Sequence, residues 1–336
     1  MAVLLGAVAY DQKVVTIWDG FRAWLRGDGG IDFDYVLYSN YERQVSDLVD
    51  GRIDVAWNSP LAWVRARRLA AARGVPLIPL TMRDTDCDLR SVVVVRADSA
   101  AVALADLAGR VVATGAIDSP QATLLPLSLL RSAGLVPGTD VRVRRFDIGV
   151  GLHGDHIGGE REAARALFAA DPADRVDAAC MIDSNLLLFA REGILPAGAV
   201  RVLAQTPPYD HCTMTAGPSA SAEEAGPFAG ADNADLLAGT ADASGADGGG
   251  DGGDEASGAS VAEVAAIAGN SDMSRFADLL LGMDYADASL RPLLDLEGLK
   301  EWRPPRLSGY EQLERAVDEA GFYDADGAIT ADGYRP

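Results

Sequence analysis

The sequence has almost no lysine. Lys13 and Lys300 are the only two lysines among 29 basic residues, whereas aspartate and glutamate number 50. The net charge of −21 at pH 7 argues against binding to nucleic acid or anionic lipid, because both attract clusters of lysine and arginine. An acid-rich, lysine-poor surface stays soluble at high salt, where weaker charge is screened.

Cysteine and long apolar runs are also scarce. Cys87, Cys180 and Cys212 are odd in number and widely spaced, which gives no disulfide framework and no CxxC zinc pattern. No stretch approaches the ~20 apolar residues of a membrane span. The N-terminal run, residues 1–11, lacks the basic segment of a signal peptide and is typical of a first strand. We therefore expect a cytoplasmic protein as written, or an extracytoplasmic one if the start has been trimmed.

The remaining pattern alternates strands with helices. Apolar runs at 2–9, 33–38, 53–57 and 76–81, separated by three helical patterns, predict a parallel α/β lobe. A second set of strands between 91 and 204 predicts another lobe. We expect lobe 1 to comprise residues 1–83 and 206–336, and lobe 2 to comprise residues 84–205.

Residues 217–262 differ in composition from the rest of the chain. They contain nine acidic residues and eleven glycines but neither lysine nor arginine. Such a segment buries too little apolar surface to offset its chain entropy. It is predicted to be a disordered acidic insertion in lobe 1.

The most informative stretch is residues 111–135. A β-branched start is followed by Gly115, by the polar residues Asp118 and Ser119, and by a leucine-rich helical pattern. Ser119 or Asp118 suits a helix N-cap, and Pro120 suits the first helical position. Free N–H groups and the positive dipole end of such a helix favour an anion.

Several segments resemble one family. Residues 51–64 (GRIDVAWNSPLAWV) and 106–113 (DLAGRVVA) are similar to segments of phosphate/phosphonate-type (PhnD-like) solute-binding proteins of ABC transporters. Asp118 and Ser119, followed by Pro126 and Leu130, resemble the ligand loop and helix of that family. The segment from Gly193 through 200–204, and the late pair Trp302 and Tyr310, also fit.

The resemblance implies an α/β fold of the type II periplasmic-binding class, with two lobes and a ligand cleft between them. It implies binding of a small oxyanion-bearing solute, phosphonate- or phosphate-like, without a cofactor, and possible partnership with an ABC permease. Carried over by position, the cleft residues are Tyr10, Asn40, Tyr41, Asn58, Ser59, Ser119, Gln121, His153, His156 and Asp183. Where the family usually presents further hydroxyl side chains, Pro120 and Gln121 follow Ser119.

Alternatives remain open at this point. A cytoplasmic biosynthetic enzyme of the menaquinone- or thiamin-precursor type uses the same fold, although no GxSxG or Walker A motif is present. His153, His156 and the carboxylate of Asp155 between them, with His211 as a third imidazole, are a possible zinc set. Asp155 and Asp183 are a possible acid/base pair. A carboxylate at Asp183 also suggests a ligand that carries a hydrogen-bond donor besides its anion.

Overall fold

The computed structural model describes residues 2–218 and 271–336, so most of the predicted acidic insertion lies outside the described residues. The strands are β1 Val3–Val8, β2 Phe33–Tyr38, β3 Val55–Asn58, β4 Ile78–Arg83, β5 Ser91–Arg96, β6 Val111–Thr114, β7 Arg142–Arg145, β8 Ala178–Ile182, β9 Val200–Gln205, β10 Thr213–Ala216 and β11 Trp302–Arg303. The α-helices are α1 Lys13–Arg26, α2 Tyr41–Val49, α3 Pro60–Arg73, α4 Leu125–Ser132, α5 Gly158–Ala166, α6 Asp183–Arg191, α7 Ser271–Leu281, α8 Arg291–Glu297 and α9 Glu311–Ala320.

The first sheet has six strands in the order β11-β4-β10-β3-β1-β2. Strand β1 pairs in parallel with β2 and β3, as the apolar run 2–9 predicts for a buried central strand. Strand β10 returns from the second sheet and inserts antiparallel between β3 and β4. The sheet is therefore mixed rather than wholly parallel, because the returning chain fills the position beside β3.

The second sheet has five strands in the order β7-β6-β8-β5-β9. Strand β6 is parallel to β7 and β8, whereas the valine-rich β5 is antiparallel to β8 and β9. All five strands lie within residues 84–205, and those of the first sheet lie outside that range. The predicted two-lobed α/β architecture is confirmed, and we propose the same residue division for the lobes.

Two crossover segments join the sheets. The first leads from β4 to β5 and the second from β9 to β10. They pair at one antiparallel bridge, where Leu89 N donates to Tyr209 O at 2.9 Å and Tyr209 N donates to Leu89 O at 2.8 Å. Strand β10 consequently begins only at Thr213, because the residues before it belong to this crossover.

The helix predicted after Ser119 begins with one π-helical turn, Pro120–Leu124, before α4. Pro126 has no N–H and leaves the carbonyl of Ala122 without its usual helical partner. That carbonyl instead accepts a hydrogen bond from Gly115 N at 3.2 Å. The side chain of Ser119 accepts from Ala122 N at 3.2 Å, which confirms Ser119 as the N-cap.

The two lobes touch through an apolar cluster that draws on both. Leu61 and Val64 of α3 pack with Leu124, with Val317 of α9 and with Tyr334 near the C-terminus. Helix α9 therefore lies between α3 and α4 and closes one side of the interface. No helix among the described residues combines the length and the apolar character that crossing a bilayer would require.

Candidate functional site

The predicted site residues come from both lobes, and most of them are buried. Tyr10 and Asp183 are partly exposed, and His156 is exposed. The other seven are at most 8% exposed: Asn40, Tyr41, Asn58, Ser59, Ser119, Gln121 and His153. The lobes are thus closed on each other, and the interface between them is the candidate site.

His153 of lobe 2 inserts into lobe 1. Its Nδ1 lies 2.8 Å from Ser59 Oγ, and its Nε2 lies 2.7 Å from Glu42 Oε1. The imidazole stacks on the ring of Tyr41 at a centroid distance of 4.8 Å. Both ring nitrogens are therefore occupied, and the side chain is fully buried. The left-handed backbone of His153, with φ of 46°, is held by these contacts.

Glu42 anchors this arrangement from α2. Its Oε1 also accepts hydrogen bonds from Tyr334 Oη at 2.6 Å and from Tyr323 Oη at 3.1 Å. Burial alone would raise the pKa of Glu42, but the charge of His153 and the donated hydrogen bonds outweigh it and lower the pKa to about 2. Glu42 is consequently a carboxylate at neutral pH.

Asp118 holds the same loop from lobe 2. Its Oδ2 accepts from Gly151 N at 2.6 Å and from His153 N at 3.1 Å. Burial raises the pKa of this carboxyl group despite the nearby imidazole and the N–H donors. From the sequence, Asp118 is a possible helix cap and part of a segment that resembles the family's ligand loop; in the structure its side chain shapes the turn that presents His153.

Helix starts from both lobes converge on the segment 151–154. The first residue of α2, Tyr41, donates its N–H to Gly151 O at 3.1 Å. Ser59, the N-cap of α3, contacts His153, and Gln121 Nε2 in the π-helical turn donates to Gly154 O at 2.7 Å. Three positive helix ends thus surround one short loop.

Gly154 covers the start of the π-helical turn. A Cβ atom placed on it would lie 2.5 Å from Gln121 Nε2 and 2.7 Å from Ser119 Oγ. The sequence predicts free N–H groups at this helix start. In the structure Ala122 N donates to Ser119 Oγ at 3.2 Å and Thr123 N donates to Ser119 O at 3.1 Å, while Gly154 O accepts from the Gln121 side chain. The loop therefore covers the side chains of Ser119 and Gln121, where ligand oxygens were expected.

Asn40 and Asn58 have local partners. Asn40 Oδ1 accepts from Arg43 N at 3.0 Å and caps α2. Asn58 Oδ1 accepts from Gln44 Nε2 at 3.0 Å, whereas its Nδ2 donates to no atom of the described residues. Asn58 therefore retains a donor for a ligand.

Tyr41 and Asp155 form a second contact between the lobes. The Tyr41 hydroxyl donates to Asp155 Oδ2. Burial raises the pKa of Asp155, and it raises the pKa of Tyr10 as well, with Asp155 adding to that shift. Asp155 and Asp183 have different partners, since Asp183 begins α6 and its carboxylate accepts from Ser184 N at 2.8 Å.

Glu160 is a buried carboxyl group that sequence reasoning missed. Its Oε2 accepts from Asn185 Nδ2 at 2.9 Å and from Ile182 N at 3.0 Å. Burial raises the pKa of Glu160 to about 7, although a side-chain hydrogen bond with Gln121 opposes this shift. An acidic residue in the first turn of an alanine-rich, buried helix was the available signal.

The unpaired polar atoms at the interface are mainly acceptors. Of the buried side-chain atoms that lack a hydrogen-bond partner among the described residues, six belong to side chains described in this section: Glu42 Oε2, Gln44 Oε1, Asp118 Oδ1, Gln121 Oε1, Glu160 Oε1 and Asn58 Nδ2. Five of the six are oxygens of carboxyl or amide groups. These oxygens suit a bound molecule that brings donors of its own.

The three histidines do not form the zinc set considered from the sequence. His153 is committed to Ser59 and Glu42, and His156 Nδ1 accepts from Gly158 N at 3.1 Å. His211 instead lies beside Asp86 and Cys212, which form the one group of potential metal ligands found among the described residues.

A surface depression of about 400 Å³ lies elsewhere, between the end of β5 and the start of β6. Its charged lining residues include Arg96, Arg110, Asp98 and Asp177. The arginines are neutralised there, with Arg96 3.6 Å from Asp98 and Arg110 3.9 Å from Asp177. None of the predicted site residues lines this depression.

Comparisons with known proteins agree with this architecture. A family profile described as "ABC transporter, phosphonate, periplasmic substrate-binding protein" matches residues 7–227. The structure of PhnD1 from Prochlorococcus marinus in complex with methylphosphonate is similar, with a TM-score of 0.59, 16% identity, and coverage of 95% of this chain and 98% of that one. A binding-protein component of an ABC phosphonate transporter from Pseudomonas aeruginosa gives a TM-score of 0.53 at 12% identity, covering 94% and 85%. A search of curated proteins gave no significant match.

The fold and the site between the lobes define a solute-binding protein of the type II periplasmic-binding class. The chain belongs to the family of phosphonate substrate-binding proteins of ABC transporters. This membership supports solute binding rather than the biosynthetic enzyme considered above.

Proposed function

We propose that the chain binds a small molecule that carries both an oxyanion and a hydrogen-bond donor, such as an aminoalkylphosphonate, between its lobes. The observation that carries this proposal is the convergence of helix starts on residues 151–154. An oxyanion that displaces this loop would lie at the positive ends of helices from both lobes. Methylphosphonate, the ligand of the Prochlorococcus protein, carries the oxyanion of this ligand class without its amino donor.

The ligand side chain would face carboxyl groups. Glu160 and Gln121 each have an oxygen without a partner, and Asp155 and Asp183 belong to the same lobe. An ammonium group supplies several donors and a positive charge, so it satisfies acceptors that a plain alkyl group leaves unpaired. Among phosphonates, one with an amino group is therefore expected to bind more tightly.

The wider role proposed here is uptake. The family profile describes periplasmic components of ABC transporters, so we propose that the chain acts outside the cytoplasm and delivers its ligand to a permease. A receptor of this kind alternates between open and closed states about its crossover segments. The bridge between Leu89 and Tyr209 places those segments side by side.

Titration calorimetry with methylphosphonate, aminoethylphosphonate, phosphate and sulfate tests the proposal. Ser119→Ala should weaken binding of a phosphonate about tenfold, the scale of one hydrogen bond to a charged group. Ser132→Ala is the matched control, because Ser132 is an exposed serine at the other end of α4 whose hydroxyl donates to Ser128 O at 3.1 Å. The proposal would be contradicted if none of the four compounds binds, or if Ser119→Ala and Ser132→Ala weaken phosphonate binding equally.

Proton release identifies the amine contact separately. An ammonium group beside Glu160 would lower the pKa of that carboxyl group from about 7 and expel a proton on binding near neutral pH. Calorimetry in two buffers of different ionisation enthalpy should show release with aminoethylphosphonate and none with methylphosphonate. Glu160→Gln should abolish the difference; equal release by both ligands would place the amine elsewhere.

A further inference from the structure

The two crossover segments bring three metal-ligating side chains together at the hinge. Asp86 lies on the first segment, and His211 and Cys212 lie on the second. Their ligand atoms are all within 4.8 Å of one another. His211 Nδ1 is 3.1 Å from Cys212 Sγ and 3.5 Å from Asp86 Oδ1. One imidazole nitrogen thus faces both a thiol and a carboxylate.

This spacing matches a four-coordinate zinc ion. Zinc bonds of about 2.0 to 2.3 Å at tetrahedral angles separate neighbouring donor atoms by roughly 3.3 to 3.6 Å. The 3.5 Å separation of His211 Nδ1 from Asp86 Oδ1 lies in that range, and its 3.1 Å separation from Cys212 Sγ lies just below it. The three side chains are buried, but His211 keeps 8% of its surface exposed, which leaves a path for an ion.

We propose that Asp86, His211 and Cys212 form a zinc site, with water in the fourth position. A sulfur, a nitrogen and a carboxylate oxygen are the donors that zinc accepts, whereas magnesium and calcium prefer oxygen alone. On binding, the Cys212 thiol loses its proton to solvent and the sulfur bonds to the ion.

The charges around the site balance when zinc is bound. A divalent ion is neutralised by the Cys212 thiolate and the Asp86 carboxylate. Arg83, which donates to both Asp86 oxygens, also donates to Glu297 Oε1 at 3.1 Å and thereby retains a counter-ion of its own. Asp86 can use a second lone pair of Oδ1 for the metal.

Zinc at this position would tie the crossover segments together on the lobe 1 side. The segments already share a hydrogen bond from His211 N to Asp86 O at 2.8 Å. The ion would fix this pairing while leaving the bridge between Leu89 and Tyr209 free to bend. It would act on the hinge and would take no part in the proposed oxyanion contacts.

The test is metal titration of the untagged, chelator-treated full-length protein under reducing conditions. Cobalt should bind at one equivalent and give a thiolate charge-transfer band in the near ultraviolet. Zinc should displace it. Cys212→Ser should remove the band, and His211→Gln should weaken zinc binding by about tenfold or more. Cys180→Ser should change neither, because Cys180 lies buried in β8.

Three results would overturn this assignment. The first is that neither metal binds stoichiometrically, and the second is that Cys212→Ser and His211→Gln both leave metal binding unchanged. The third is that the cobalt band is lost in Cys87→Ser rather than in Cys212→Ser. Phosphonate calorimetry on the same variants separates the two proposals, because the proposed solute contacts do not involve these three residues. If Cys212→Ser fails to fold, zinc binding by His211→Gln alone tests the site, because His211 Nδ1 lies close to both Cys212 Sγ and Asp86 Oδ1.

Discussion

Gly154→Ala is the most informative substitution in the interface between the lobes. Gly154 has φ of 82°, a conformation that costs a residue with a Cβ atom about 1 kcal/mol. Its added methyl group would also meet Gln121 and Ser119 at 2.7 Å or less. Overpacking of this kind costs about 1 to 3 kcal/mol. The two costs together should therefore destabilise the closed state of the variant by about 2 to 4 kcal/mol.

Gly198→Ala provides the matched control. Gly198 has φ of 71° but no atom within 4 Å of the added Cβ, so it carries the conformational cost of about 1 kcal/mol alone. The difference between the two variants isolates the contact of the loop with the helix start. Urea unfolding followed by circular dichroism should show Gly154→Ala as the less stable variant.

Small-angle scattering measures the structural consequence. A protein that cannot keep residue 154 against Ser119 relieves the clash by opening its lobes, so the ligand-free Gly154→Ala variant should have a larger radius of gyration than Gly198→Ala. Equal stability losses together with superimposable scattering curves would refute the reasoning, because they would mean that the loop does not cover the helix start in solution.

Three further predictions follow from charge and composition. Glu42→Gln should lower the free energy of unfolding by up to about 3 kcal/mol at pH 7. Because the pKa of Glu42 falls from 4.5 to about 2 on folding, its stabilisation is complete above pH 4.5 and is lost as the pH falls towards 2. A difference in unfolding free energy between variant and parent that stays constant down to pH 2.5 would contradict this prediction. The melting temperature should rise between 0.1 and 1 M NaCl, as the Debye length shrinks from about 10 to about 3 Å around a chain of net charge −21, and a fall would contradict this. Replacing residues 218–260 by a short Gly/Ser linker should leave melting temperature and ligand affinity nearly unchanged at moderate salt, since their composition supports little packing. A drop of several degrees would count against that prediction.

Local features of the fold were predictable from the sequence because they depend on nearby residues. The apolar run at β1, the four valines of β5, and Ser59 and Ser119 as helix caps all follow from short patterns. Strand order was less accessible. Nothing in the valines of β5 indicates that its neighbours run antiparallel to it, since that depends on how the chain returns to the first lobe.

The site was predicted in part for the same reason. Ser59, Ser119 and His153 follow strands, and parallel strands bring such residues to one edge of a sheet. Their buried partners could not be predicted from the sequence. Tyr334 lies 292 residues from Glu42 in sequence, and Glu42 itself lies 111 residues from His153. Only the packing of the C-terminal residues against α2 and α3 brings these three side chains together.

A crystal structure of the complex with aminoethylphosphonate would decide where the ligand binds. We expect phosphonate oxygens within about 2.7 to 3.0 Å of the Ser59 and Ser119 hydroxyls, with residues 151–154 displaced from the helix starts and the amino group against Glu160. A ligand bound in the depression lined by Arg96 and Arg110, with Gly154 still covering Ser119, would contradict this expectation.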